Sequence, residues 1–152
     1  MLIAPSFKSM SCHVSNKEFH WLFLAVPADI KVRDLKPYFP KCLERNQVMY
    51  MGPLQIARLD RTLSSFAQCE ACSLFLENTK KYFKVEIRSI VRFDLYVQDH
   101  WSVDYMRFQV AGNLGIPPNF MTLETTNGQA VFGLMLCSTL KKRRVLLVHL
   151  HG

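Results

Sequence analysis

The chain has 152 residues, nearly half of them apolar and 12% aromatic, with a formal net charge of +7 and a pI near 9.3. That is enough chain for a packed core and too much apolar content for a disordered segment. The charge favours anionic partners, namely nucleic acid, an anionic membrane or an acidic protein, and no run of 18 or more apolar residues reads as a membrane-spanning helix.

Residues 1–16 mix small, polar and basic side chains and read as a flexible arm. They lack the basic-then-apolar pattern of a signal peptide, and Leu2 stands where N-myristoylation needs glycine. FHWLFLAVP, residues 19–27, is short and rich in aromatic and aliphatic side chains, so it reads as a buried strand ending at Pro27. Asp29 then offers an N-cap for a short helix carrying Ile30, Val32 and Leu35. Pro37 breaks that helix near Lys36, because an interior proline costs about 3 kcal/mol. A second turn is expected from Pro40 to Arg45. Pro53 suits the first position of an amphipathic helix with Ile56, Leu59 and Leu63 on one face, and a strand through residues 48–54 competes for its first half. AQCEACSLFLEN reads as a strand and Asn78-Thr79 as a turn.

The clearest pattern is KYFKVEIRSIVRFDLYVQ. Phe83, Val85, Ile87, Val91, Phe93, Leu95 and Val97 share one parity, while Lys84, Glu86, Arg88, Arg92, Asp94 and Gln98 take the other. This alternation predicts one long, half-buried strand over residues 83–97, roughly 50 Å at the strand rise and therefore bent. A turn at Asp99-His100, a strand over residues 101–111 and a loop through GNLGIPPN follow. FMTLETTNGQ fits neither period. AVFGLMLCS and VLLVHLH are two apolar core segments around a basic tetrapeptide. The sum is an α+β fold, an antiparallel sheet with two or so short helices packed on one face, with residues 17–152 forming a single globular domain.

The tetrapeptide, Lys141, Lys142, Arg143 and Arg144, is the densest positive charge in the chain. A hairpin tip needs polar residues, so a solvated turn explains it. Four adjacent cations would also engage an anionic leaflet, at about 1 kcal/mol each, or nucleic-acid phosphates. They match a nuclear-import signal as well. A second cluster, Lys80, Lys81 and Lys84, extends through Arg88 and Arg92 along the polar parity of the long strand. Together these nine residues are the candidate anion-binding site.

Five cysteines, Cys12, Cys42, Cys69, Cys72 and Cys137, are odd in number and irregular in spacing, which argues against a secreted disulfide framework. A cytoplasmic location, with nuclear or peripheral-membrane association open, is expected. Cys69 and Cys72 form a C-x2-C pair, but Cys12, His13 and His20 do not supply a second pair at ligand spacing, so no metal or other cofactor is expected. His100 beside Asp99, Asp104 with Tyr105, His149 with His151, and Cys137 could be posed as acid–base groups, ligands or a nucleophile. No hydrolase, P-loop, zincin or dinucleotide fingerprint accompanies them. Neither a catalytic residue nor a small-molecule substrate is expected.

An aromatic strand, a short helix, a Tyr-x-Gly segment at residues 50–52, long antiparallel strands, then Phe132-Gly133-Leu134, a basic turn, Val145-Leu146 and His149 follow one another in order. That order resembles the globular core of rhabdovirus matrix proteins of the vesiculovirus type. The tail carries most of the likeness, and the middle shares element order only. Residues 1–16 lack the longer basic arm and the PPxY motif of that pattern. The resemblance implies a non-enzymatic structural protein that self-associates, binds the inner leaflet and condenses viral ribonucleoprotein in virion assembly. Two other readings stay open, an RNA-binding module such as a viral silencing suppressor or movement factor, and a small enzyme with a Cys or His site.

Overall fold

The computed structural model describes residues 8–43, 46–67, 69–142 and 144–151. The fold is α+β, but the expected single domain is two compact units, the first ending at Asn78 and the second beginning at Thr79.

In the first unit, β1 (Ser9–Ser15) and β2 (His20–Pro27) form an antiparallel hairpin. Of the segment read as a flexible arm, residues 1–7 lie outside the described residues and residues 9–15 form a strand, whose Met10, Cys12 and Val14 are buried. β2 lies at the sheet edge, and Leu22 and Leu24 are exposed, which corrects the expectation of a buried strand. Next come α1 (Val32–Leu35) and two 3₁₀ turns at Lys36–Tyr38 and Lys41–Leu43. The proline at position 37 stops the helix where expected, although Lys31, not Asp29, occupies the N-cap position. β3 (Val48–Met51) and β4 (Leu54–Gln55) replace the helix expected from Pro53, because Gly52, at φ +59°, turns the chain back. Ile56 and Leu63 are still buried. α2 (Leu63–Phe66) and β5 (Ala71–Glu77) complete the unit. The order is β2-β1-β5-β3-β4, with β1 and β5 parallel at the centre and the other pairs antiparallel. Met10, Cys12, Val14, Leu35, Leu63, Leu74 and Leu76 form its core.

In the second unit, the expected long strand is a hairpin, β6 (Phe83–Arg88) with β7 (Arg92–Val97). The parity survives because the turn at residues 89–91, closed by Ser89 N–H to Val91 C=O at 3.0 Å, has an odd length. Val91 consequently sits half-buried in a turn, while Val85, Ile87 and Leu95 are fully buried. The strand expected at 101–111 is a helix, α3 (Val103–Leu114). The Ser102 hydroxyl accepts from the Tyr105 N–H at its start, and Gly115 at φ +73° ends it. Val103, Met106 and Val110 recur on its buried face, but Gln109 and Asn113 share that face and hide the period. β8 (Met121–Thr125), β9 (Ala130–Val131), a 3₁₀ turn (Cys137–Leu140) and β10 (Val145–Leu150) follow. The order is β7-β6-β10-β8-β9, with β6 and β10 parallel at the centre. There are therefore two mixed sheets in place of one antiparallel sheet.

The two units repeat each other beyond strand order. Isolated bridges join Lys31 to Thr62 in the first and Ser102 to Leu136 in the second. Around the first bridge, Val32 N–H donates to Arg61 C=O, Arg33 to Leu59, Leu63 to Ile30 and Ser64 to Ala28. Around the second, Val103 donates to Met135, Asp104 to Gly133, Cys137 to Trp101 and Ser138 to Asp99, in the same pattern. In both, an irregular strap before the last short helix satisfies the N–H groups at the start of the main helix, which otherwise lack partners. Two strands, a helix, then three more strands with a parallel central pair are the β-grasp arrangement, here present twice. Among the described residues, no helix is long and apolar enough to cross a membrane.

Candidate binding surfaces

The candidate cations divide into two groups. Lys80 and Lys81 are exposed just before β6. Lys141 Nζ and the Arg144 guanidinium each lie 5.9 Å from the centre of the Phe83 ring at the start of β6, so the two basic clusters meet at one end of the sheet. Arg144 Nε donates to the Lys141 carbonyl at 2.9 Å, which folds the basic turn back on itself. Lys142 is exposed beside them, and Arg143 lies outside the described residues. Lys84 projects from β6 with its Nζ 3.8 Å from Asp94. Arg88 and Arg92 face each other in register at the far end of the hairpin, about 17 Å away along β6.

Carboxylates offset part of this charge. Lys141 Nζ is 2.7 Å from Asp99, and the Arg88 guanidinium is 3.1 Å from Glu86. The outer face of β6 and β7 therefore alternates sign. Tyr96, opposite Lys84, packs edge-on against Tyr82, so the aromatic platform that an RNA surface needs is small.

The larger surprise is the strap of the second unit. The expected core segment AVFGLMLCS is core only at its ends: Val131 and Cys137 are buried, whereas Phe132, Leu134, Met135 and Leu136 are exposed. Leu134 is 85% exposed and Phe132 69%. Tyr105 and Phe108, on the adjoining helix, are exposed too. The backbone beneath these side chains is tied down. Met135 C=O accepts from Val103 N–H at 2.8 Å, and Gly133 donates to the Asp104 carboxylate at 2.9 Å. A run of solvent-facing apolar side chains on an ordered backbone makes the strap a candidate contact surface.

The fold does not require that chemistry. Matched through their hydrogen bonds, residues 132–136, Phe-Gly-Leu-Met-Leu, occupy the place of residues 58–62, Arg-Leu-Asp-Arg-Thr, in the first unit. There, Arg58 Nε and the Asp60 carboxylate pair at 3.1 Å. Burial opposes ionisation of Asp60, yet Arg58 outweighs it and holds that carboxyl below its ordinary value. One strap is thus charged and self-paired, the other apolar and open.

The groups posed as chemical lie on separate elements, each with its own local partners or exposure. Cys137 is buried, and burial pushes its thiol up to about 12, so it is protonated near neutral pH. Its sulfur lies 3.5 Å from the Ser102 carbonyl. Asp99 is engaged by Lys141, and His100 is exposed in the adjoining turn. Asp104 holds Gly133 and Arg107. His149 lies 4.0 Å from Glu124 and 6.2 Å, ring to ring, from His151. A shallow depression of 140 Å³ beside Lys36, Phe39 and Leu43 is smaller than the pockets that enclose small ligands. Among the described residues, no three His, Cys, Asp or Glu side chains converge as metal ligands. Cys69 and Cys72 do not face each other: the Cys69 thiol donates to the Ala71 carbonyl, while the Cys72 sulfur lies 3.5 Å from Cys12.

No protein-family model matches the chain, and no curated protein matches it.

Proposed function

We propose that the chain is a tandem ubiquitin-like protein that acts by non-covalent recognition of another protein, through the apolar strap of its second unit. The observation that carries this reading is the repetition of one β-grasp, down to matched hydrogen bonds around the helix start, with opposite strap chemistry in the two copies. The β-grasp hosts many functions, so the step from fold to ubiquitin-like role is an analogy. The strap supplies the site-level argument: apolar side chains that the fold does not need are held outward on a fixed backbone. A photo-crosslinking amino acid at Leu136, in cells producing the full chain, tests it. The reading expects a discrete protein adduct that Phe132→Arg with Leu134→Asp abolishes. Adducts unchanged by that pair would overturn it.

A matrix-type role at an anionic leaflet or on ribonucleoprotein, with self-association, is the second reading. One observation favours it: the exposed apolar strap is followed, after a single 3₁₀ turn, by exposed Lys141 and Lys142. Apolar tips beside cations suit a membrane interface. Lipid or RNA adducts from Leu136, with salt-sensitive co-sedimentation on anionic liposomes or RNA, would support this reading over the first.

A further inference from the structure

We propose that Cys12 and Cys72 form an oxidisable dithiol, which a hydroperoxide converts to a disulfide between the two central strands of the first unit. Sequence spacing pairs Cys72 with Cys69, but the sheet pairs it with Cys12. β1 and β5 are parallel neighbours with Cys12 and Cys72 in register, and the two sulfurs are 3.5 Å apart. In-register residues on adjacent strands lie about 4.8 Å apart, inside the Cα separation that a disulfide accepts. Closing the bond asks for side-chain rotation and leaves the strand pairing in place.

The two thiols are not equivalent. Cys12 is wholly buried, whereas Cys72 is partly open near the start of β5, between exposed Ala71 and Ser73. The hydrogen-bonding contact with the Cys12 sulfur holds the Cys72 thiol below its ordinary value, against the opposing effect of burial. The same contact with Cys72, reinforced by burial, pushes the Cys12 thiol up. Cys72, the more open and the more readily ionised of the two, is therefore the thiol that meets an oxidant, and Cys12 the resolving thiol that keeps its proton until needed.

The chemistry balances in two steps. The Cys72 thiolate attacks one peroxide oxygen. An S–O bond forms, the O–O bond breaks, and the departing alkoxide or hydroxide takes a proton and leaves as alcohol or water. Sulfur is oxidised by two electrons and the peroxide reduced. The Cys12 sulfur then attacks the sulfenic sulfur. The S–S bond forms, the S–O bond breaks, and the leaving hydroxide takes the Cys12 proton and departs as water. The product links the first and last strands of the unit and so closes a loop around most of it, which restricts the unfolded chain. Reduction by a thiol reverses it.

The experiment treats the reduced full chain with stoichiometric hydrogen peroxide, caps remaining thiols with N-ethylmaleimide and maps peptides by mass spectrometry. The expected product joins the Cys12 and Cys72 peptides, lighter by two hydrogens, with a rise in the Tm of the first unit of roughly 10 °C that dithiothreitol reverses. Cys12→Ala should leave a dimedone-reactive sulfenic acid at Cys72, and Cys72→Ser should remove both the sulfenic acid and the link. A principal Cys69–Cys72 product, or oxidation confined to exposed Cys42 and Cys69, overturns the proposal on the wild-type chain alone, whatever the variants do.

Discussion

Replacing Phe132 by Arg and Leu134 by Asp gives the second unit's strap the residues that the first unit carries at the matched positions. The expected cost follows from exposure. Full burial of a Leu or Phe side chain is worth about 1.5–3 kcal/mol. Phe132 is 69% exposed and Leu134 85%. Together they therefore lose only about 1 kcal/mol of burial, and the aliphatic stem of the new arginine can recover part of it. Gly133 stays, so its hydrogen bonds with the Asp104 carboxylate and N–H persist. For a unit of this size, about 1 kcal/mol corresponds to a Tm shift of roughly 4–8 °C. Trp101, buried beside the start of α3 at 4.9 Å from the Tyr105 ring, reports unfolding of this unit in a Trp21→Phe background. The double variant should melt cooperatively within that range and give no protein adduct from a crosslinker at Leu136. Unfolding of the second unit at room temperature would mean that the strap is core. A near-native melt with undiminished adducts would mean that the strap is not the contact surface.

Ile87→Asp should unfold the second unit, because it removes a fully buried side chain opposite Phe93 and adds a charge with no partner, a loss comparable to a small unit's whole stability. Val91→Asp should cost about 1 kcal/mol, because Val91 sits half-buried in the hairpin turn; equal denaturation midpoints for the two variants would restore a single long strand. Changing Lys141, Lys142 and Arg144 together to Gln should move the Tm by only a few degrees, since the Lys141–Asp99 pair is exposed and worth at most about 1 kcal/mol. If an anionic partner exists, the same change should weaken low-salt co-sedimentation and matter less as salt rises; unchanged low-salt binding would make the basic turn ordinary solvated surface. With its thiol near 12, Cys137 is unreactive below that range and gains thiolate only as pH climbs towards it. Iodoacetamide at pH 8 should therefore label exposed Cys42 and Cys69 and spare Cys137 in the folded chain, as peptide mapping would show.

Strand residues were legible where one face meets a core and the other meets water. Phe83, Val85, Ile87, Phe93, Leu95 and Val97 are all buried, as their parity predicts. The break between them was not legible, because a turn of odd length keeps the alternation in phase and only Ser89-Ile90 marks it. Ile90, 94% exposed at the tip, is the kind of residue that a period-two reading absorbs without notice. α3 was misread for the opposite reason. Two amide side chains occupy its buried face, with Asn113 Nδ2 donating to the Gln109 carbonyl at 2.8 Å, and two aromatics, Tyr105 and Phe108, occupy its exposed face. Its punctuation was nevertheless present in Ser102 and Gly115, one cap at each end.

The duplication and the strap were hidden by one cause. A β-grasp fixes which backbone groups must pair and which few positions must be apolar, and leaves its straps and edges free to vary. Lys31 and Ser102 make the same bridge, yet one is a cation and the other a capping hydroxyl. The main helix is four residues followed by 3₁₀ turns in the first unit, where prolines at 37 and 40 forbid continuation, and twelve residues in the second. Comparison of side chains along the sequence therefore finds no repeat, while comparison of hydrogen bonds finds one at every step around the helix start. The same latitude explains why Phe-Gly-Leu-Met-Leu looked like core. An apolar run in a sequence reports burial only when something in the same unit covers it, and in the second unit the strap's backbone is used up in capping α3 while its side chains face outward. The first unit performs the same capping through the Leu59 and Arg61 carbonyls of an Arg-Leu-Asp-Arg-Thr strap, so the fold leaves the second strap's composition unexplained, and that is the ground on which the proposed contact surface stands.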